Sequence, residues 1–393
     1  MLKRLNWQHS LHESLSALKE KNLYRSLETV GSAAGSHIRI GKKTFLNFSS
    51  NNYLGLANHL KVKRSAVRAV SEWGTGSGAS RLISGNLKIH HDLEEALSRF
   101  KKEEAAAIFS SGYLANLGAV TALIGEKDIV LVDRLNHASL IDAARLSKAK
   151  LWVYPHNDIS ALDKLLARAK NFRKKLVLTD AYFSMDGDLA PLDKLLEICK
   201  QHGSMLMVDE AHSTGVFGKS GSGLAEHFGL SGKIDVVMGT LSKALGSVGG
   251  FIAGKKILKE YLINHSREFI YTTAPAPSAS AAAIQAIRLI EAQPLLRKKY
   301  WERIFFAREG LKGLGFDLMN SQGPIIPLLI GDTGKTLRMK EFLRGGGIFA
   351  PAIRPPTVPK RMDRIRLSIT AEHTKDDLDK LLSVLKKARQ KIL

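Results

Sequence analysis

Cysteine is nearly absent: Cys199 is the single cysteine in 393 residues. An internal disulfide is thereby excluded, and the usage suits a reducing compartment. Acidic residues are also in short supply, 37 against 59 Lys plus Arg, for a formal charge of +22. Such a balance raises nucleic acid, an anionic membrane or an acidic protein as partners. The cations are not gathered, however. Arg173-Lys174-Lys175, Arg297-Lys298-Lys299 and Lys101-Lys102 are short, scattered and flanked by apolar residues, as on solvated helix faces. No zinc-ligand spacing appears, and no stripe of base and aromatic residues, so nucleic-acid binding is not expected.

Long apolar runs are missing as well. Residues 105–125 carry no charge, but Ser110, Ser111, Gly112, Tyr113 and Asn116 sit at their centre. They read as a strand, a polar turn and a buried helix rather than a span. Residues 269–287 are broken by Pro275 and Pro277. The opening Met1-Leu2-Lys3-Arg4-Leu5-Asn6-Trp7 lacks the apolar centre and cleavage site of a secretory leader. A cytoplasmic protein without membrane contact is expected.

What is present is an ordinary globular composition, 44% hydrophobic and 24% charged, with no repeat and no low-complexity tract. Short runs rich in Val and Ile at residues 129–132, 151–154, 176–178, 205–208 and 236–238 predict strands buried on both faces. Helical patterns at 159–169 and 192–201 lie between them. Alternation of this kind predicts a mostly parallel central sheet with helices on both faces. Helices at 294–312 and 336–344 then alternate with strands at 325–330, 348–352 and 364–369. The last helix starts at Thr374, with Asp377 in a capping-box position. The expected organisation is an N-terminal segment, 1–45, a large α/β domain, 46–285, and a smaller C-terminal α/β domain, 286–393.

In parallel sheets, ligands bind beyond the carboxyl ends of the strands. Residues 205–208 lead into Asp209-Glu210-Ala211-His212. Residues 236–238 lead into Gly239-Thr240-Leu241-Ser242-Lys243-Ala244-Leu245-Gly246. A lysine in a small-residue turn at a buried strand end loses hydration, which lowers its pKa and suits an amine used covalently. An aspartate at the neighbouring strand end suits the protonated nitrogen of a pyridine ring. Alone, Lys243 reads as a surface turn lysine and Asp209 as a helix cap.

With the remaining motifs, the chain resembles the fold-type I enzymes that depend on pyridoxal 5'-phosphate (PLP), and among them the α-oxoamine synthases. The resemblance runs from Asn47-Phe48-Ser49-Ser50-Asn51-Asn52-Tyr53-Leu54-Gly55-Leu56 to Arg364-Ile365-Arg366-Leu367-Ser368. Between these lie Gly74-Thr75-Gly76-Ser77-Gly78-Ala79-Ser80-Arg81, Ser110-Ser111-Gly112-Tyr113-Leu114-Ala115-Asn116, Asn136-His137-Ala138-Ser139 and Phe183-Ser184-Met185-Asp186-Gly187-Asp188. The resemblance implies catalytic roles for Lys243, His137 and Asp209. Lys243 would carry the cofactor and take the substrate α-proton, Asp209 would hold the ring nitrogen, and His137 would stack on the ring, although a helix-capping histidine is an equal reading. His212 and Ser184 would face the phenolic oxygen. Ser111, Gly112 and Tyr113 would hold the phosphate at a helix start, with Thr240 and Ser242 beside them. Thr272 and Thr273 would reach it from a partner subunit, implying a homodimer with shared active sites.

Family members condense an amino acid with an acyl thioester and release carbon dioxide. The stretch Ala352-Ile353-Arg354-Pro355-Pro356-Thr357-Val358-Pro359 resembles the branch that joins L-alanine to a pimeloyl thioester, on coenzyme A or acyl carrier protein, in biotin synthesis. A branch using glycine and acetyl-CoA is the alternative. Arg366 is the candidate for the amino-acid carboxylate; Thr357 and Arg25 match substrate-contacting positions, with a plain surface arginine an equal reading of Arg25. No metal site is expected.

Overall fold

The computed structural model describes residues 7–21 and 23–393; the reading of the first six residues as free of a secretory leader lies outside them. Among the described residues, no helix is long and apolar enough to cross a membrane.

Strands β1 (His37–Ile40) and β2 (Lys43–Asn47) form a hairpin ahead of the main sheet. That sheet has seven strands: β3 (Ala105–Phe109), β4 (Ile129–Asp133), β5 (Lys150–Tyr154), β6 (Lys175–Asp180), β7 (Met205–Asp209), β8 (Val236–Thr240) and β9 (Gly250–Gly254). Their spatial order is β3-β9-β8-β7-β6-β4-β5, with β9 alone antiparallel to its neighbours. The mostly parallel sheet read from the apolar runs is therefore present. Every residue of β4, β8 and β9 is buried, because helices cover both faces. The run at 151–154 departs from that pattern. It forms the edge strand β5, with Lys150 and Val153 exposed, since an edge has one strand neighbour and less helix above it.

The C-terminal third holds β10 (Ile325–Leu329), β11 (Ile348–Phe349), β12 (Ala352–Ile353) and β13 (Arg364–Ser368). The single strand read at 348–352 is two. Its first half pairs with β2 and its second with β13; the chain changes sheets through Ala350-Pro351, where proline supplies no ladder N–H. The last helix, Lys375–Ile392, is capped as its sequence predicts: Thr374 Oγ1 accepts from the Asp377 N–H at 3.2 Å, and Asp377 Oδ2 accepts from the Thr374 N–H at 2.9 Å.

Candidate active site

The carboxyl ends of β6, β7 and β8 open on a cavity of about 240 Å³. Its wall includes Lys243, Asp209, His212, His137, Asp180 and Thr240. A larger hollow of about 570 Å³ lies between the helices Leu60–Trp73, Lys88–Lys101 and Pro277–Ala292, but no strand end reaches it. Lys243, Asp209, His212 and His137, the candidates read from the sequence, gather at the smaller cavity.

Strand register explains the cluster. Asp180 and Asp209 are directly paired across β6 and β7, which brings two buried carboxyl groups beside one lysine. Asp209 is held by contacts absent from any local pattern: Asn116 Nδ2 donates to its Oδ2 at 2.8 Å, and the Ala211 N–H to its Oδ1 at 2.8 Å. Asp180 Oδ2 accepts from the His137 N–H at 2.7 Å. Burial, reinforced by the Asp209 charge, pushes the Asp180 carboxyl well above the usual range. Burial lowers the Lys243 amine to about 8, against the pull of Asp209 and Asp180. His212 lies well below an ordinary imidazole because it is buried and faces Lys243 and Arg366.

His137 is the helix cap that its sequence position allows, and it also lines the cavity. Its Nδ1 accepts from the Ser139 N–H at 3.2 Å and caps the helix Ala138–Leu146, while the ring borders the cavity. Ser111 is the N-cap of the helix Gly112–Leu123, with its hydroxyl engaged by the Leu114 N–H at 3.1 Å. The N–H groups of Gly112 and Tyr113 remain outside the helix ladder, as an anion site requires. Thr240 Oγ1 lies 2.7 Å from Ser242 Oγ beside them. Backbone approaches closely here: a Cβ on Gly250 would stand 2.6 Å from the Gly112 Cα.

These groups fit PLP. The helix start and the two hydroxyls would hold its phosphate, Asp209 its ring nitrogen, and Lys243 its aldehyde carbon. Ser184, Arg366, Thr272, Thr273, Arg25 and Thr357 do not line this cavity. The Ser184 carbonyl accepts from Arg366 Nε at 2.5 Å. Arg366 is buried, also donating to Ser368 Oγ at 2.9 Å and Asn51 Oδ1 at 3.2 Å. No carboxylate pairs with it among the described residues. Thr273 lies beside Ser80 and Ser110 of its own chain, its carbonyl 3.4 Å from Ser110 Oγ, and Thr272 is its half-buried neighbour. Arg25 and Thr357 instead share a second cavity of about 680 Å³, with Leu15, Leu18 and residues 352–356.

Asn116 and Asp180 also line the cavity, and Tyr53 contacts His212 behind it; none of the three is assigned a role from the sequence, although Asn116 and Tyr53 stand in the motifs that carry the resemblance. Glu210, unexplained by its sequence position, is buried in an ion pair with Lys101, and its Oε1 accepts from the Ala225 N–H at 2.6 Å; it supports the strand end structurally.

The fold and this site define a class. Residues 43–385 match the family model of aminotransferase class I and II. The chain is 44% identical over 383 residues to the 8-amino-7-oxononanoate synthase of Thermoanaerobacter pseudethanolicus, covering 97% of each. A solved 8-amino-7-oxononanoate synthase from Francisella tularensis superposes with a TM-score of 0.77 at 29% identity, over 88% of this chain and 98% of that one. A serine palmitoyltransferase from S. paucimobilis with a bound PLP–myriocin aldimine gives a TM-score of 0.92 at 31% identity over 99% of both. The chain belongs to the 8-amino-7-oxononanoate synthase family, PLP-dependent acyltransferases within the aminotransferase class I and II group.

Proposed function

We propose that this chain condenses L-alanine with a pimeloyl thioester to give 8-amino-7-oxononanoate, with release of the thiol and of carbon dioxide. The observation that carries this reading is Lys243, Asp209, His137 and His212 around one cavity, with a buried Arg366 nearby that pairs with no carboxylate among the described residues.

PLP, when bound, supplies the electron sink for the pair left on the alanine α-carbon. Arg366 receives the alanine carboxylate through its guanidinium. Lys243, whose amine is partly neutral near pH 8, takes the α-proton. The α-carbon bonds to the thioester carbonyl, the C–S bond breaks, and the thiol departs. The bond to the carboxylate then breaks to release carbon dioxide, and a proton returns to the α-carbon. His137 closes one face of the cavity. His212 and Ser184 serve the phenolic side of the cofactor.

The thioester chain suits the cavity of Arg25 and Thr357, which pairs leucines with a cation. A homodimer is part of the same reading. Trp7, Leu11, Leu15 and Leu18 form an exposed row on the helix Trp7–Glu20, and Tyr271 is exposed next to Thr272 and Thr273; a second copy covers such surfaces. A cytoplasmic location accords with the free, buried Cys199.

The test is carbon dioxide release by the PLP-loaded protein with each pair of substrates. Alanine with pimeloyl-CoA or pimeloyl carrier protein is expected to turn over best. Equal or faster turnover with glycine and acetyl-CoA overturns the substrate assignment.

A further inference from the structure

His212 lines the cavity with one edge and meets a second buried ring with the other. The Tyr53 hydroxyl is 2.7 Å from His212 Nδ1, and Tyr53 is fully buried. Its position is fixed at the main chain, where its N–H donates to the Asn51 carbonyl at 2.8 Å and its carbonyl accepts from the Ala371 N–H at 2.7 Å. A second contact, 3.3 Å long, runs from the hydroxyl to Asn51 Oδ1. That same oxygen accepts from Arg366 Nη2.

A neutral imidazole carries one N–H, and the hydrogen bond at one nitrogen decides where it sits. Two arrangements are possible in principle. In one, the Tyr53 O–H donates to Nδ1 and the imidazole proton is on Nε2. In the other, Nδ1–H donates to the Tyr53 oxygen, and the Tyr53 proton must go to Asn51. The distances separate them. A contact of 2.7 Å is the usual length for a hydroxyl donor, whereas 3.3 Å lies beyond it. Asn51 Oδ1 is already engaged by Arg366, and the guanidinium also faces the phenol oxygen.

We propose that Tyr53 is a positioning residue for His212: its hydroxyl donates to Nδ1, confines the imidazole proton to Nε2, and so presents an N–H donor to the cavity. Both groups keep the required charge state. Burial raises Tyr53 to about 12, and burial with the Lys243 and Arg366 charges keeps His212 uncharged. The other titratable groups in the neighbourhood are His137 on the cavity side of His212, and Tyr182 and Tyr300 near Tyr53. Through Asn51, the same hydroxyl touches the network that holds Arg366, joining the cofactor side of the site to the carboxylate side. The consequence for a bound ligand rests on reading the cavity as the PLP site: the Nε2–H would stabilise the anionic phenolic oxygen.

The test begins with the ring nitrogens of His212, read by ¹⁵N NMR in cofactor-free wild-type protein and assigned by loss of the signal in His212→Asn. The Nε2–H tautomer is expected; the Nδ1–H tautomer overturns the proposal, and neither result depends on the substrate. Tyr53→Phe removes only the hydroxyl. It is expected to bind PLP with unchanged stoichiometry, to populate the Nδ1–H tautomer, and to raise the titration midpoint of the visible cofactor band by about one unit, the scale of one lost hydrogen bond. Its KM for alanine should rise more than its kcat falls. An unchanged tautomer and an unchanged midpoint in Tyr53→Phe overturn it, whatever the turnover with alanine.

Discussion

The amide of Asn116 donates to Asp209 Oδ2 at 2.8 Å, and to Ser139 Oγ at 2.8 Å. One side chain from the helix Gly112–Leu123 thus holds both the carboxylate and the hydroxyl that contacts His137 Nδ1. Replacing it with alanine should cost about 1–3 kcal/mol, because buried partners lose their donor. PLP affinity should fall with it, since Asp209 is free to turn. Thermal unfolding and a PLP titration followed by absorbance measure the two effects together.

Lys243 sits in an environment that disfavours its charge, lowering its pKa from 10.5 to about 8. In the cofactor-free protein below pH 8, the folded state carries that penalty in full. As pH rises from about 8 to 10.5, the unfolded chain holds the proton that the folded state has lost, so stability rises. Lys243→Met should therefore be more stable than the parent at pH 7, with the gap closing across that window. It should be inactive throughout. Denaturant midpoints at several pH values reveal the trend, and a constant gap would contradict it.

His156 bridges two carboxylates, with Nδ1 3.0 Å from Asp133 Oδ1 and Nε2 2.8 Å from Asp188 Oδ2. Burial opposes its charge, but the two hydrogen bonds win and raise the imidazole to about 10. A raised folded pKa contributes stability that is whole below the unfolded value of 6.5 and is lost as pH rises through about 10. His156→Gln should lower stability at pH 7 by about 1–3 kcal/mol, and the difference should shrink as the pH approaches 10. Chemical unfolding of both proteins from pH 6 to 10 checks the direction.

Arg25 and Thr357 both line the second cavity. Arg25→Ala should raise KM for the thioester about 10-fold, the scale of one lost hydrogen bond to a charged group, while KM for alanine stays within about twofold. The parent's thioester KM should rise with salt and the variant's less so. Steady-state kinetics at low and high ionic strength distinguish this from a general loss of activity.

Much of the site was legible because its residues stand next to the strands that position them. Asp209 ends β7 with His212 just beyond it, and Thr240 ends β8 with Ser242 and Lys243 just beyond it, so apolar runs located them. Ser111 was legible as the start of a helix; that it is the N-cap comes from the structure. Asp180 was passed over although it ends β6, because one carboxylate after an apolar run is ordinary until register places it opposite Asp209. Thr357 and Arg366 were legible as chemistry, but nothing local tells that one lines the second cavity and the other is buried beside Ser184.

By itself the sequence determined the alternation of strand and helix, the capped final helix, and which side chains carry reactive groups. These depend on neighbours within a few positions: apolar periodicity, a hydroxyl three residues before a carboxylate, a lysine among small residues. Only the tertiary structure decided that β5 is an edge, that residues 348–353 serve two sheets, and that Tyr53 meets His212 across 159 positions. Such contacts follow from strand order and register, which the packing of the whole sheet selects and no local pattern encodes.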